Sequence, residues 1–452
     1  MFYWLMVTLI VSSAILIIFH MVNGYFSIKQ MMKYKLNNES PQQDISVLVP
    51  CYNEESTITS SIQSIQNIKS KYKELEYIFI NDGSTDETLE RLKDELDLIE
   101  IKRDCDNIIP HQPVKALYES LKYPNVFVVD KYNGGKADAL NAGINFAANE
   151  LVVTLDADTL LDKNALPIVN DVFKDENVIA GGGIVNILQG GEYSSGKLQL
   201  KRRKMIIRLQ IMDYLKGFIV LKSSLSRFNA LSVVSGAFGI FRKSLLNEIG
   251  GYRVTVGEDM DITLKLQLYA MENKGKRIVF IPQAVAYTEC PQTWKDLFSQ
   301  RIRWHKAYLD CLFVYFGALM KRFFKGGLPF FFFLDTTIIG VIFTMFNLFH
   351  LSYVAISEFS IRSFEVILIY LLAVTAISVT NNFLALYLYK KVGGRLKEKN
   401  LFSLIVTIIG DIVIFRLFIA LFMVLGTIYY FTNKNKWNTV SRTGKVYYSK
   451  GA

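Results

Sequence analysis

Cysteine and histidine are scarce in this chain, four of each in 452 residues. Cys51, Cys105, Cys290 and Cys311 contain no CxxC spacing and the histidines are scattered, so neither a disulfide framework nor a zinc site is indicated. A reducing, cytosol-facing domain is the default that follows. Charge is also thin: 20% of residues are charged against 51% hydrophobic, with 32 Phe and 24 Tyr, which excludes a disordered chain. The charge that is present leans basic, at a net +10. Much of that excess sits beside apolar runs, at Lys390, Lys391, Arg395, Lys397 and Lys399 and again within residues 434–450. Membrane topology and anionic lipid explain basic residues there, and nucleic acid is not an expected partner.

The apolar residues collect at the N-terminus and in the last third of the chain. Residues 2–25 hold no Asp, Glu, Lys or Arg and are long enough to cross a hydrocarbon core of about 30 Å. No basic stretch precedes them and no A-x-A site follows, so they read as an uncleaved anchor rather than a signal peptide. Lys29, Lys33 and Lys35 come next, which places the N-terminus outside and the following domain in the cytosol. Three further apolar stretches are expected at about residues 328–356, 364–389 and 401–431. The last would be about 46 Å long as a single helix and carries Asp411 and Arg416 near its centre. A single crossing or a re-entrant hairpin both fit it. Residues 294–324 mix aromatic residues with Lys and Arg, as an interfacial amphipathic helix would.

Between these regions the pattern changes. The runs ISVLVP (45–50), YIFI (77–80), VFVV (126–129) and LVVTL (151–155) are β-branched and of strand length, and helical patterns follow at 55–72 and 85–98. Strands alternating with helices predict an α/β fold with a mostly parallel sheet, whose ligands sit beyond the carboxyl ends of the strands. Polar residues gather at those ends. Asn53 and Glu54 follow the first strand, Asn81-Asp82-Gly83-Ser84 the second, and Asp156-Ala-Asp158 the fourth. Each alone would serve as a turn or a helix cap. Three acidic clusters at three successive strand ends point to a site instead.

Asp156 and Asp158, one residue apart after a buried strand, can face one hard cation, Mg²⁺ or Mn²⁺, whose shell is commonly completed by substrate phosphate. Gly134-Gly135-Lys136 sets a small-residue turn and a lysine before a helix, a geometry suited to phosphate. Glu258 and Asp259 open another helix, where they complement its dipole or supply a general base. Gln300, Arg301, Arg303 and Trp304, in the run QRIRW, supply two cations and an indole.

Taken in order, NDGS, GGKADALN, LDADT, SGAFG, GED and QRIRW resemble the motif series of membrane-embedded family-2 glycosyltransferases. The likeness is greatest to the bacterial processive group of poly-N-acetylglucosamine, hyaluronan and cellulose synthases, and it runs from the first strand to Trp304. The resemblance implies a glycosyltransferase A-type (Rossmann-like) cytosolic domain with flanking transmembrane and interfacial helices. The expected layout is an anchor (1–26), the catalytic domain (27–292), interfacial helices (293–327), a membrane region (328–431) and a basic tail (432–452). It implies that Asn53, Glu54 and Asp82 contact the donor uridine, and that Lys136 and Asp156 contact donor ribose or phosphate. Asp158, with Asp156, would hold the Mg²⁺ or Mn²⁺. Asp259 corresponds to the catalytic base, with Glu258 beside it in the substrate site. Ser235 and Gly236 belong to an acceptor-side loop, and Gln300, Arg301, Arg303 and Trp304 correspond to the motif at the diphosphate and the acceptor end.

The chain departs from the family pattern in an insertion at about 101–125, in Asp213 of a Q-x-x-E-Y-like element, and in His305-Lys306 after QRIRW. The implied enzyme is a hexosyltransferase. It would invert α-linked UDP-sugars, UDP-N-acetylglucosamine being the favoured donor, into a β-linked polysaccharide extended and exported at a bacterial-type plasma membrane. Support for export comes from an intramembrane Asp411/Arg416 pair and from Trp437 and Arg442 in the tail. The expected partners are the UDP-sugar, a growing glycan or lipid-linked acceptor, and membrane lipid, with an accessory membrane subunit left open. A transferase that adds one sugar to a lipid-linked acceptor is the alternative, and a non-catalytic nucleotide-sugar-binding subunit is a third reading.

Overall fold

A computed structural model describes residues 2–32, 43–69, 75–189, 191–194, 197–200, 204–346, 361–394 and 401–432. Arg395, Lys397, Lys399, Trp437 and Arg442 lie outside the described residues. The chain divides into two compact units. One is drawn from Lys35–Arg203 and Val233–Pro291, the other from Met1–Tyr34, Lys204–Ser232 and Gln292–Asn438. Lys204–Ser232, expected inside the soluble domain, thus groups with the apolar helices.

The first unit is built on β1 (Ile45–Cys51), β2 (Leu75–Asp82), β3 (Leu98–Ile101), β4 (Val114–Ser120), β5 (Val126–Lys131), β6 (Leu151–Leu155), β7 (Leu160–Leu161), β8 (Val178–Ile187), β11 (Phe238–Arg242) and β12 (Arg277–Thr288), with β9 (Gly191–Ser194) and β10 (Lys197–Leu200) pairing apart as a two-stranded sheet. The ten-stranded sheet has the order β3-β4-β5-β2-β1-β6-β11-β8-β12-β7. Parallel pairing joins β5, β2, β1 and β6, and again β8 and β12. Only β4, β7 and β11 run against the others. The sheet is therefore mostly parallel, as expected, with antiparallel strands at and near its edges. β1 and β2 are almost wholly buried along their length, which accounts for their continuous rather than alternating apolar pattern. The inserted segment forms no separate module. It returns as β4 to widen the sheet, and Asn145 holds its loop by two hydrogen bonds to the Ile109 backbone.

Helices α2 (Ile58–Lys69), α3 (Thr88–Leu96), α4 (Lys136–Phe146), α5 (Ala165–Phe173), α8 (Lys243–Glu248) and α9 (Glu258–Glu272) complete this unit. Both α4 and α9 begin at the edge of the candidate site. Glu258, Asp259 and Asp261 lie in the first turn of α9, where carboxylates favour the helix dipole.

The second unit is helical. It holds α1 (Phe2–Met31), α6 (Met205–Leu215), which continues through a π-helical stretch (Lys216–Lys222) into α7 (Ser223–Arg227), and α10 (Trp294–Lys321). It also holds α11 (Gly327–Phe330), which leads into a π-helical run (Phe331–Phe343), α12 (Ile361–Lys391), α13 (Leu401–Gly410) and α14 (Arg416–Thr432). Thr293 caps α10, its hydroxyl oxygen accepting the Asp296 N–H. Among the described residues, four segments are long and apolar enough to cross a membrane: Ile10–Met31, Gly327–Phe346, Leu371–Lys391 and Phe402–Thr432.

The last of these settles the question of a hairpin. α13 and α14 join through a π-helical turn at Asp411–Phe415, and Gly410 and Arg416 both keep right-handed helical dihedrals, so the chain does not reverse. Asp411 and Arg416, which the sequence places along a polar path, do not pair with each other. Asp411 instead pairs with Lys216 at 2.5 Å and accepts a hydrogen bond from Asn382 at 3.0 Å, while Arg416 donates to Ser378 at 2.9 Å. An ionised side chain on an apolar helix is costly unless paired. Lys216 is a charged partner that opposes it. His20 is satisfied in the same way, with Ser224 and Asp335 each 2.9 Å from its ring nitrogens.

Candidate active site

The carboxyl ends of β1, β2, β5 and β6 bring the first group of expected residues together. Asn53 takes a left-handed conformation (φ 55°), and its side-chain oxygen accepts the Thr85 N–H at 2.8 Å, stitching the loop after β1 to the loop after β2. Glu54 is buried, with the Thr57 hydroxyl donating to its carboxylate at 2.6 Å and its own N–H donating to Thr88 at 2.7 Å.

Asp82 is occupied from three sides. The ammonium of Lys131 lies 2.6 Å away, and the N–H groups of Gly134 and Gly135 donate at 3.0 and 2.7 Å. Lys131 is fully buried and also meets Asp138 at 2.5 Å, while Asp138 accepts the Gln112 N–H from the inserted loop. Asp82 thus serves here as the internal anchor of the Gly134–Gly135 turn. Gly135 makes that turn feasible, since its φ of 89° is open to glycine at little cost. Lys131 escaped the sequence reading, although an Asp-Lys pair directly after VFVV marks the same strand end as the other clusters.

From this anchored turn α4 begins, and Lys136 reaches across to two carboxylates. Its ammonium lies 2.6 Å from Asp156 and 3.0 Å from Glu258. Burial alone would lower its pKa, but Asp156 and Glu258 outweigh that and hold it well above the usual lysine value. Burial and the neighbouring Asp259 raise Glu258, and Lys136 only partly offsets them. Asp259 is fixed by two backbone donors, Met260 N–H at 2.8 Å and Gly236 N–H at 3.3 Å. Gly236 lies so close that a Cβ there would come within 2.9 Å of the Lys136 ammonium and 3.4 Å of Asp259. The Ser235 carbonyl accepts the Phe238 N–H and closes this turn.

Asp158 accepts hydrogen bonds from Thr288 at 3.1 Å and Thr159 at 3.3 Å. Burial, then the negative charges of Asp156 and Glu289, push its carboxyl up to about 7. Thr288 and Glu289, at the end of β12, were not anticipated: they lie 130 and 131 positions along the chain, with no local motif linking them to Asp158. A carboxylate raised by other carboxylates marks a place where a cation would relieve repulsion, so Asp156 and Asp158 fit a divalent ion. Among the described residues no three His, Cys, Asp or Glu side chains could hold a metal by themselves.

The remaining expected residues lie on α10 in the helical unit. Arg301 pairs with Asp213 at 2.7 Å, and its guanidinium stands 4.3 Å from the centroid of the Trp304 ring. Gln300 and Arg303 are partly exposed on the same helix.

Residues 46–250 match the family model described as Glycosyl transferase family 2, and residues 151–431 match Glycosyl transferase family group 2. The poly-beta-1,6-N-acetyl-D-glucosamine synthases of Staphylococcus aureus (strain COL) and Staphylococcus epidermidis are 29% and 30% identical to this chain over 304 residues. The matched region covers 66% of this chain and 63% of each synthase. The mannosyltransferase PcManGT from Pyrobaculum calidifontis, solved with GDP-Man and Mn²⁺, has a similar fold, with a TM-score of 0.52, 17% identity, and coverage of 95% of this chain and 100% of its own.

Proposed function

The chain belongs to glycosyl transferase family group 2, and from that premise we propose that it is an inverting β-glycosyltransferase that uses a UDP-sugar, UDP-N-acetylglucosamine by preference, to extend a polysaccharide. The observation that carries this reading is the convergence of Lys136, Asp156, Glu258 and Asp259 at the carboxyl ends of the sheet. A strong cation among carboxylates, beside a carboxylate held by two N–H donors, matches what sugar transfer from a nucleoside diphosphate requires.

In this mechanism Asp259 takes the proton of the acceptor hydroxyl as its oxygen attacks the anomeric carbon of the donor. The bond from that carbon to the diphosphate oxygen breaks, UDP departs, and the configuration inverts. Asp158 with Asp156 would hold a Mg²⁺ or Mn²⁺, which would supply positive charge against the leaving diphosphate. Lys136 adds a second positive charge from the helix start, and the Gly236 N–H directs the Asp259 carboxylate. Asn53 and Glu54 frame the uridine end. Asp82 joins them at the uridine end and also holds the Gly134–Gly135 turn. Ser235, Gln300, Arg301, Arg303 and Trp304 serve the acceptor end, with an indole face for the sugar ring.

The proposed setting is a multi-pass protein of a bacterial-type plasma membrane. Its catalytic residues lie within 27–292 on the cytosolic side, as the lysines after residues 1–26 direct, and its interfacial (293–327) and membrane (328–431) segments conduct the growing glycan outward. The similarity to poly-beta-1,6-N-acetyl-D-glucosamine synthases supports donor and product.

The test is to incubate the purified protein in lipid with Mn²⁺ and UDP-N-acetylglucosamine and follow UDP release and product size together. UDP release with a long product, absent in Asp259→Asn, is expected. Products one sugar long would overturn processive extension, and normal turnover by Asp259→Asn would overturn the assigned base.

A further inference from the structure

One cluster in the helical unit is built around Trp304. Asp213, at the end of α6, reaches Arg301 on α10 at 2.7 Å. The Arg301 guanidinium carbon stands 4.3 Å from the Trp304 ring centroid and 5.9 Å from that of Phe415. Tyr214, the neighbour of Asp213, sets its own ring 6.4 Å from Trp304 at 44°. Two successive residues of α6 therefore address one indole, one directly and one through a cation. Trp304 nonetheless remains 40% exposed.

Three features show that this cluster is arranged around the ring rather than for packing alone. An exposed indole contributes little to a core, yet here it is flanked by a charge and a second aromatic ring. The buried Arg301 Nε has no hydrogen-bond partner, so the guanidinium is not placed to satisfy every donor. What its position does satisfy is closeness to two rings and an ion pair at one end, a combination that suits the flat fork of arginine better than lysine. Both Asp213 and Phe415 also border wide helical turns, the π-helical stretches Lys216–Lys222 and Asp411–Phe415. Such turns re-aim side chains and recur at functional sites.

We propose that Asp213 and Arg301 are positioning residues that set the plane of Trp304 as the stacking platform for the acceptor sugar. Arg301 acts through its face on the indole, and Asp213 acts through Arg301. The proposal rests on the reading of Trp304 as an acceptor-side residue.

The test uses the full chain in lipid nanodiscs with Trp4, Trp294 and Trp437 changed to Phe, so that Trp304 alone emits. Emission maximum and acrylamide quenching are read alongside KM for UDP-N-acetylglucosamine and KM for a β-1,6-linked N-acetylglucosamine pentasaccharide. Asp213→Asn and Arg301→Lys should each shift the emission and raise quenching about twofold. They should raise the acceptor KM about five- to tenfold, the scale of a lost charge–ring contact, while the donor KM stays within about twofold. Asp213→Glu should restore part of both signals.

Unchanged emission in Asp213→Asn overturns the proposal, as does an equal rise in both KM values, which marks a general loss of structure. Trp304→Ala separates the two layers. An unchanged acceptor KM in that variant refutes the acceptor role of Trp304, while the emission data still decide whether Asp213 and Arg301 orient it.

Discussion

Lys131 and Lys136 stand five residues apart on either side of one glycine turn, and each meets two carboxylates. Lys131 is sealed: it has no exposed surface, and its partners Asp82 and Asp138 are further held by the N–H groups of Gly134, Gly135 and Gln112. Lys136 is open, a quarter exposed, and faces Asp156 and Glu258 with Asp259 close behind. The same pairing of charges thus gives a lock in one place and a reactive surface in the other. Burial and backbone satisfaction make the difference. A buried ion pair whose remaining acceptors are filled has one arrangement, whereas a partly solvated one can exchange partners at little cost.

The contrast is sharpest at Asp259. Asp259→Asn should lower turnover by about 10²- to 10⁴-fold, the range of a lost general base, with UDP binding changed by less than about twofold. UDP release and nucleotide affinity measured on the same preparation check this. Next comes the lock itself. Lys131→Met leaves Asp82 and Asp138 uncompensated in the interior and should cost about 3–5 kcal/mol of stability, read by denaturant unfolding of the detergent-solubilised protein. Lys136→Met should cost less than Lys131→Met in the same experiment, because Lys136 and Asp156 are each about a quarter open to solvent, and should also raise the donor KM. Comparable destabilisation by both substitutions would erase the distinction between them.

A smaller effect concerns cations. Lys136 neutralises the carboxylate that a divalent ion would use, so its removal should tighten binding of Mn²⁺ alone by about tenfold, measured by electron paramagnetic resonance without nucleotide. Weaker Mn²⁺ binding in Lys136→Met would show that the lysine does not compete for Asp156. The smallest change is expected from Gly236→Ala. Its new methyl group meets the mobile end of Lys136, and the donor KM should rise about two- to threefold.

Features that depend on short runs of sequence were legible. The four parallel strands appeared within two residues of their observed ends, because a buried strand must be apolar throughout. Asp156-Ala-Asp158 and Gly257-Glu258-Asp259 stood out because strand ends and helix starts carry local signatures. Features that depend on distant partners were not legible. Nothing near Asp158 points to Thr288 and Glu289, and nothing near Asp411 points to Lys216, 195 positions earlier. Asp411 meets its cation from another helix, a partner that no local pattern marks. The inserted segment was also opaque. Its strand β4 reads as VKALYES, half polar because it lies near the sheet edge, and that pattern carries little period-two signal.

The sealed turn has a bearing on time as well as on place. With Asp82 gripping the amides of Gly134 and Gly135, the backbone beneath Lys136 has no freedom to swing as a flap. Any handover of its ammonium from Asp156 to an incoming phosphate is then confined to four rotatable carbon bonds. Such torsional hops in partly solvated side chains take about picoseconds to nanoseconds, against microseconds to milliseconds for lids and hinges. Charge at this end of the site can rearrange many times over within the lifetime of a single encounter with donor, so this handover does not pace the cycle.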